Sequence, residues 1–208
     1  MPEIISMGEA LVEIMREKIG AGLDRPEVFV GPFPSGAPAI FADCAARLGG
    51  KVGYIGTVGN DDFGKVIRDR LLEDGVDLTY FQSRPDATTG VAFVAYFADG
   101  SRKFLYHIRN AASGCVDTER IVDSYFQGAR FLHINGSAVS INEDWKKTIY
   151  KAVDMPGRSL PGSFGSGSRN GYPQTRSGGK YRLHQNLPSR SPGLPGERNR
   201  SHRCWRLL

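Results

Sequence analysis

The sequence predicts an α/β fold over its first 155 residues, followed by a segment without regular structure. Between residues 3 and 155, apolar strand patterns alternate with amphipathic helix patterns, which is typical of a sheet covered by helices. Two strand pairs, near residues 11–30 and 90–109, fall outside that alternation and predict a small second sheet. Residues 156–208 are rich in Gly, Ser, Pro and Arg, without a 3.6-residue or 2-residue apolar period, and are predicted to be disordered.

The first strand is predicted over residues 3–7, and it ends at Gly8-Glu9. Ligands of open α/β sheets gather at the carboxyl ends of strands, so we expect Gly8 and Glu9 to face a cleft. The alternative is a simple turn with an exposed acid. Residues 11–15 and 27–30 then predict short strands of a hairpin or an extended excursion.

The stretch from Gly31 to Gly50 predicts a Gly/Pro loop followed by a helix. Pro38 suits the first helical position, and Gly49-Gly50 suits the end of the helix. Gly36 precedes the helix, and its bare backbone would let a polar or anionic small molecule approach; an ordinary loop before a core helix is the alternative. The face expected to point inward consists of Ile40, Phe41, Cys44, Ala45 and Leu48.

The next elements continue the alternation. A short apolar strand within residues 51–58, a glycine turn and an Asp cap precede a helix over residues 62–73, and residues 78–81 predict another strand. Asp117 is expected to cap a helix over residues 117–126, and residues 131–134 predict a buried strand that ends at Asn135-Gly136-Ser137. The last helix is capped by Asn142, and its buried face is expected to contain Trp145, Ile149, Ala152 and Val153. The inward face of the helix over residues 62–73 is expected to contain Phe63, Val66, Ile67 and Leu71.

A hairpin is predicted around Asp99-Gly100, between residues 91–97 and 102–109. Alternation along its second strand places His107 and Arg109 side by side, where they can meet a carboxylate or hydroxyl groups. A solvated strand cation is the alternative for Arg109. A structural role is the alternative for His107.

Several of these motifs together resemble the N-terminal signature of the ribokinase-like (PfkB) carbohydrate kinases, and most closely the branch of 2-keto-3-deoxygluconate and tagatose kinases. The resemblance spans about residues 3–155 and rests on Gly8-Glu9, Gly36 to Gly49, residues 58–64 and 72–77, Thr89-Gly90, Arg109 and residues 131–136. It implies a three-layer βα sheet with a small β lid that closes over the sugar and pairs with the lid of a second subunit in a homodimer. It also implies that the substrate contacts Gly8, Gly36, Ala37 and Arg109. His107 is a further candidate, although it stands where the keto-acid sugar kinases usually have Tyr.

The same resemblance implies a transferase that uses ATP and Mg²⁺ to phosphorylate a sugar or a keto sugar acid. The family's catalytic base is the Asp of a Gly-Ala-Gly-Asp motif, and neither that motif nor an Asp-x-Asn-x-Arg strand occurs in the 208 residues. Ile40 stands where much of the family has an Asn that holds the sugar, which leaves the substrate open between 2-keto-3-deoxygluconate, tagatose and fructose. We therefore expect impaired phosphorylation and hypothesise that residues 156–208 come from a shifted reading frame.

Charge and composition limit the function classes and the compartment that the sequence allows. The net charge is +5, but residues 156–208 hold ten basic residues and one acidic residue, so the basic character belongs to that segment. Three scattered cysteines predict neither disulfides nor a zinc site. Without a signal-peptide pattern or an apolar run of about 18 residues, a cytoplasmic protein without a membrane partner is expected. The alternatives to a kinase are a sugar-binding module without catalysis and, with less support, a nucleic-acid binder that uses its basic segment.

Overall fold

The computed structural model describes residues 1–154, which form two four-stranded sheets and four α-helices. The predicted segment 156–208 lies outside the described residues. The elements are β1 (Ile4–Met7), β2 (Leu11–Arg16), β3 (Phe29–Ser35), α1 (Ala37–Arg47), β4 (Val52–Gly59), α2 (Asp62–Glu73), β5 (Phe81–Arg84), β6 (Gly90–Tyr96), β7 (Arg102–His107), β8 (Phe131–Ile134), α3 (Gly136–Ile141) and α4 (Glu143–Asp154). Within residues 1–154, no helix has the length and apolar character needed to cross a bilayer.

The main sheet is parallel and has the strand order β5-β4-β1-β8. Its two faces are covered by different helices. Ala39 and Ala42 of α1 and Ile67 and Leu71 of α2 pack in one apolar cluster, whereas α3 and α4 pack in another around the fully buried Trp145. This arrangement is the predicted α/β fold with helices on both faces of a parallel sheet.

The second sheet has the order β3-β2-β6-β7 and contains both predicted strand pairs. The β6–β7 hairpin turns at Asp99-Gly100, where Gly100 has φ +82° and Asp99 Oδ1 accepts a hydrogen bond from the N–H of Ser101 (2.9 Å). Strands β2 and β6 pair in parallel, from Leu11 opposite Gly90 to Met15 opposite Val94. We call this second sheet the lid sheet.

Three predicted helix features are present. Asp61 caps α2 by accepting from the N–H of Gly64 (2.8 Å), and Ile67 and Leu71 are buried. Asn142 caps α4 by accepting from the N–H of Trp145 (3.0 Å). Three members of the predicted inward face of α4 are buried and Val153 is partly buried against the same cluster, so the 3.6-residue pattern predicted this packing.

The inward face predicted for α1 is wrong for its large members, although Ala45 does pack against the core cluster. Ala39 and Ala42 are buried against the sheet, whereas Phe41 is 37% exposed and Leu48 is 89% exposed. The helix also begins at Ala37, which makes Pro38 its second residue. Small side chains let this helix lie close to the sheet, and Phe41 and Leu48 stay more exposed.

The Gly/Pro loop predicted after Gly31 is a strand. Residues 29–35 form β3, which pairs with β2 from Leu11 opposite Ser35 to Arg16 opposite Phe29. Because β3 is an edge of the lid sheet in the described residues, the missing N–H groups of Pro32 and Pro34 need not interrupt the sheet.

Two further predictions fail near β5. Asp77 Oδ1 accepts hydrogen bonds from the N–H (2.9 Å) and hydroxyl (2.6 Å) of Thr79, and this turn delays the strand until Phe81. The helix predicted over residues 117–126 is replaced by turns and a 3-10 helix at Asp123–Phe126. The Gln82 side chain bonds the backbone N–H (3.0 Å) and carbonyl (3.1 Å) of Asp117, and that carbonyl is the group that would accept the first hydrogen bond of a helix capped by Asp117.

Candidate functional site

The order of the main sheet creates a crevice at the carboxyl ends of β1 and β8. From β1, the chain adds β4 and β5 on one side and β8 on the other, so the winding direction changes between β1 and β8. Such a switch point is where open α/β sheets bind ligands. Gly8 and Glu9 follow β1, and residues 135–137 follow β8. We call this region the crevice.

Glu9 is the buried acid of the crevice. It is 5% exposed, and its Oε1 accepts a hydrogen bond from the hydroxyl of Ser137 (2.5 Å). Its Oε2 is buried without a hydrogen-bond partner among residues 1–154. Burial raises the pKa of the Glu9 carboxyl above its ordinary value, although the Ser137 hydrogen bond opposes the shift. A buried carboxyl oxygen without a partner costs free energy unless a group outside the described residues bonds it.

Tyr54 of β4 holds the backbone beside Glu9. Its hydroxyl lies 3.0 Å from the carbonyl oxygen of Gly8 and 2.9 Å from that of Glu9, so one proton is shared between the two acceptors. The Tyr54 side chain is fully buried, and burial raises the pKa of its hydroxyl. The neutral phenol of Tyr54 therefore fixes the backbone of the turn that follows β1.

Gly8 and Gly36 bring the end of β1 and the start of α1 into contact. Gly8 has φ +149°, and a Cβ there would lie 2.5 Å from Pro38 Cγ. Gly36 has φ +104°, and a Cβ there would lie 2.4 Å from the carbonyl oxygen of Glu9. Both positions need glycine for the packing of this chain. The predicted residues Gly8, Gly36 and the exposed Ala37 thus lie together at the crevice.

Hydrogen bonds through Ser6 of β1 connect β8 to α1, on the sheet face that α1 covers. Ser6 donates its hydroxyl proton to the carbonyl of Pro38 (2.8 Å), so Nδ1 of His133 must donate to Ser6 (3.0 Å). Burial lowers the pKa of His133. The ring of Phe41 stacks on His133, with 3.7 Å between centroids. A neutral His133 therefore helps to hold β8 in place.

The lid sheet contributes a second carboxylate, which the sequence analysis did not single out. Glu13 Oε1 accepts from the hydroxyl of Ser35 (3.0 Å), one residue before Gly36. The register places Glu13, Ala92 and Tyr106 in one row across β2, β6 and β7, and therefore on one face. Burial and, next, the charge of Glu13 raise the pKa of Tyr106. The signal in the sequence was a lone acid in the apolar run Leu11–Met15.

The two predicted lid residues lie at the end of β7 and just beyond it. His107 is paired with Val91 at the end of β7, in the row next to Tyr106, and so lies on the opposite face. Strand β7 ends at His107, and Arg109 follows in an exposed turn. The predicted alternation that placed His107 and Arg109 side by side on one strand face is therefore wrong. The structure brings together Gly8, Gly36 and Ala37, and substrate contact by His107 and Arg109 stays a prediction.

Comparison with known proteins identifies the family. Residues 2–155 match the model of the pfkB family of carbohydrate kinases. A fructokinase from Solanum tuberosum is 30% identical over 152 residues, which are 73% of this chain and 47% of that protein. An aminoimidazole riboside kinase from Salmonella typhimurium is 34% identical over 119 residues, 57% of this chain and 35% of that protein. The chain thus spans about half the length of the curated relatives it matches.

A solved structure gives the same result. The apo form of an E. coli protein classed as a ribokinase II superposes with a TM-score of 0.71 and 40% identity over 74% of this chain and 50% of that chain. The same protein has been solved with ATP and Mg²⁺, with a TM-score of 0.69 over 74% of this chain and 49% of that chain. Since the family model covers most of the sequence and the fold agrees, the chain belongs to the pfkB family of carbohydrate kinases, whose N-terminal part it represents.

Proposed function

We propose that this chain forms the sugar-binding half of an ATP-dependent carbohydrate kinase. The observation that carries the proposal is the buried Glu9, whose Oε2 has no hydrogen-bond partner within residues 1–154, at the switch point of a sheet of this family. The lid sheet is joined to the same place, because β2 begins two residues after Glu9 and β3 ends at Ser35. A small polar ligand between the crevice and the lid sheet is consistent with this arrangement.

The proposed ligand is a sugar or a keto sugar acid. Glu9 and Glu13 accept hydrogen bonds from its hydroxyl groups, and the backbone at Gly8, Gly36 and Ala37 forms the floor on which it lies. Arg109 binds a carboxylate if the substrate is an acid such as 2-keto-3-deoxygluconate, and substrate contact by His107 stays a prediction. Fructokinases among the relatives favour a ketose such as fructose or tagatose. The 2-dehydro-3-deoxygluconokinase of Thermotoga maritima, at 18% identity, supports the fold alone.

The proposal includes ATP and Mg²⁺ because the E. coli relative was solved with both. Within residues 1–154 there is no group of three or more His, Cys, Asp or Glu side chains that could hold a metal ion. The Gly-Ala-Gly-Asp motif is also absent from the 208 residues. Because the family's catalytic Asp lies in that motif, we assign the described residues only the binding and orientation of the sugar.

A second candidate follows from the same absence. Phosphoryl transfer needs a base aligned with the attacking hydroxyl and positive charge around the phosphoryl group. A chain without the family's catalytic Asp can hold a sugar without phosphorylating it. The two candidate functions are therefore a kinase with impaired phosphorylation and a catalytically inactive sugar-binding protein.

We further propose that the lid sheet mediates a homodimer. Apolar side chains are exposed on its edge strands and beside them, including Val28, Phe29, Leu105 and Tyr106. Their burial between two copies would remove apolar surface from water. Light scattering of the full chain and of Leu105→Asp tests this point, since the substitution should shift a dimer towards the monomer.

The test of the sugar site uses thermal unfolding of the full chain with fructose, tagatose and 2-keto-3-deoxygluconate, together with an ATP turnover assay. A ligand at about 100 times its Kd stabilises the folded state by about 2.7 kcal/mol, which gives a measurable rise in Tm. Glu9→Gln should reduce that rise, whereas Glu73→Gln, at the far end of α2, should not.

Stabilisation with turnover supports the kinase, and stabilisation without turnover supports the inactive binder. If none of the three sugars raises the Tm, the proposed site is refuted.

A further inference from the structure

Asp61 and Thr89 connect the lid sheet to helix α2. Four segments of the chain join the lid sheet to the rest of the described residues: those between β1 and β2, between β3 and α1, between β5 and β6, and after β7. Thr89 lies at the end of the third segment, directly before β6, and is buried. Asp61 lies directly before α2. The two residues are 28 positions apart, so their contact depends on the fold and is not a local turn.

The Asp61 carboxylate bonds Thr89 through both of its oxygens. Its Oδ2 accepts from the backbone N–H of Thr89 (2.7 Å), and its Oδ1 accepts from the Thr89 hydroxyl (2.6 Å). The same Oδ1 accepts from the N–H of Gly64 and so caps α2. Burial alone would raise the pKa of Asp61, but these hydrogen bonds together lower it, so the carboxylate is charged at neutral pH. Hydrogen bonds to a charged acceptor are stronger than those between neutral groups.

Strand β4 provides a further contact to Thr89. The Thr89 hydroxyl oxygen accepts from the N–H of Gly59, the last residue of β4 (2.9 Å). A Cβ at Gly59 would lie 2.6 Å from the backbone nitrogen of Thr89, so this close approach needs a glycine. Thr89 is therefore bonded both to the main sheet and to the start of α2. We call Gly59, Asp61 and Thr89 the lid anchor.

The lid anchor adjoins the central strands of the lid sheet. Strand β6 begins one residue after Thr89 and lies between β2 and β7. It pairs in parallel with β2, and Ala92 lies opposite Glu13. The start of β2 follows Glu9 by two residues, so β2 also leads directly out of the crevice. Through this register, the position of Thr89 affects the position of Glu13.

We propose that Asp61 and Thr89 are positioning residues that set the angle of the lid sheet to the main sheet and thereby hold Glu13 in place relative to the crevice. Neither residue needs to contact the sugar. The consequence for sugar binding rests on the proposed function, whereas the effect on the lid sheet does not. The alternative is a simple cap of α2, which requires only the hydrogen bond from Gly64. Without the anchor, the lid sheet keeps its own strand pairing, but β6 loses the bonds that join its start to β4 and α2.

The first experiment measures amide hydrogen exchange of the full chain by mass spectrometry, without ligand. Thr89→Val keeps the shape of the side chain but removes the hydroxyl that bonds Asp61 and Gly59. Exchange in β2 and β6 should accelerate about tenfold or more, while exchange in α4 stays unchanged. Thr89→Ser restores the hydroxyl and should restore the original rates. Asp61→Asn keeps an oxygen that can cap α2 but turns an NH₂ group towards the Thr89 N–H, so it should also accelerate exchange in β2 and β6.

Thr79→Val is the matched control. Thr79 bonds Asp77 in the same way, through its N–H (2.9 Å) and its hydroxyl (2.6 Å), but the two residues belong to one turn outside the lid sheet. This variant should leave exchange in β2 and β6 unchanged. The proposal is overturned if Thr89→Val affects these strands no more than Thr79→Val does. It is also overturned if α4 accelerates as much as the lid sheet, because Thr89 would then contribute only to global stability.

The second experiment measures the Kd for whichever of fructose, tagatose and 2-keto-3-deoxygluconate raises the Tm, at a temperature where every variant is folded. Thr89→Val should raise this Kd about tenfold, and Thr79→Val should leave it unchanged. An unchanged Kd in a variant whose lid sheet exchanges faster would overturn the positioning of Glu13. If no sugar binds the unaltered chain, the proposed function fails, and the exchange experiment alone decides whether Asp61 and Thr89 anchor the lid sheet.

Discussion

Arg70 lies between two buried carboxylates that join the helices on one face of the sheet. Its Nε is 3.4 Å from Asp43 Oδ1 on α1 and 2.8 Å from Asp74 Oδ2 at the end of α2. Asp43 is 1% exposed, and Asp74 and Arg70 are mostly buried. Arg70→Met keeps the hydrocarbon stem but leaves two buried acids facing each other. Breaking a buried ion pair in this way costs about 3–5 kcal/mol, and Arg47, 4.0 Å from Asp74, keeps the expected loss near the lower value.

The matched control is Lys65→Met on the same helix. Lys65 forms an exposed ion pair with Asp69 one turn later, and exposed pairs contribute about 0–1 kcal/mol. Urea unfolding of the two variants, followed by circular dichroism, gives both losses in the free energy of unfolding. If Arg70→Met costs no more than Lys65→Met, the described ion cluster does not join the two helices energetically.

The same cluster predicts a pH dependence. Burial, and then the neighbouring Asp74, raise the pKa of Asp43 to about 7, whereas an aspartate in an unfolded chain titrates near about 3.9. Between these values the folded state holds a proton that the unfolded state has lost. The contribution of Asp43 to the free energy of unfolding therefore falls as the pH rises from about 4 to about 7, by at most about 1.4 kcal/mol per pH unit. Asp43→Asn should flatten this slope, and an unchanged slope would contradict the assignment.

Two further stability predictions use the core and the crevice. Trp145→Ala should cost about 3–5 kcal/mol in urea unfolding, followed by circular dichroism, because it leaves a cavity and removes the hydrogen bond from Nε1 to the carbonyl of Ser113 (2.7 Å). A loss below about 1 kcal/mol would mean that this cluster is not a packed core. Gly36→Ala should cost about 2–5 kcal/mol, because its Cβ meets backbone at 2.4 Å, whereas Gly49→Ala, with φ +89° and open space, should cost about 1–2 kcal/mol. Equal costs in thermal unfolding would show that the contact at Gly36 can relax.

Local chemistry explains the elements that the sequence predicted well. Helix α2 has the predicted bounds because Asp61 caps its start and Gly75, at φ +80°, follows its end. The hairpin at Asp99-Gly100 is equally local. In each case the residues that decide the structure lie within a few positions of one another, so the pattern is visible without a fold.

The failures have distant causes. Asp117 turns away from a helix because Gln82, 35 residues earlier, bonds its backbone. The contact of Glu9 with Ser137 spans 128 residues, so the sequence could place Glu9 at the end of a strand but could not find its partner. The sequence analysis could have singled out Glu13, because a carboxylate within an apolar strand usually has a polar partner or a functional role. Its hydrogen bond with Ser35 depends on the register of β2 and β3. That register could not be predicted, because the prolines of β3 led to the prediction of a loop.

Helix α1 shows why apolar periodicity alone did not identify the buried face. It carries a stripe of small residues, Ala39 and Ala42, and a stripe of large ones that includes Phe41 and Leu48. The large stripe has the stronger apolar signal, but close packing of a helix on a sheet depends on size as well as hydrophobicity. The small stripe therefore packs closely on the sheet, whereas Phe41 of the large stripe reaches only the edge strand β8, where its ring stacks on His133, and Leu48 stays 89% exposed.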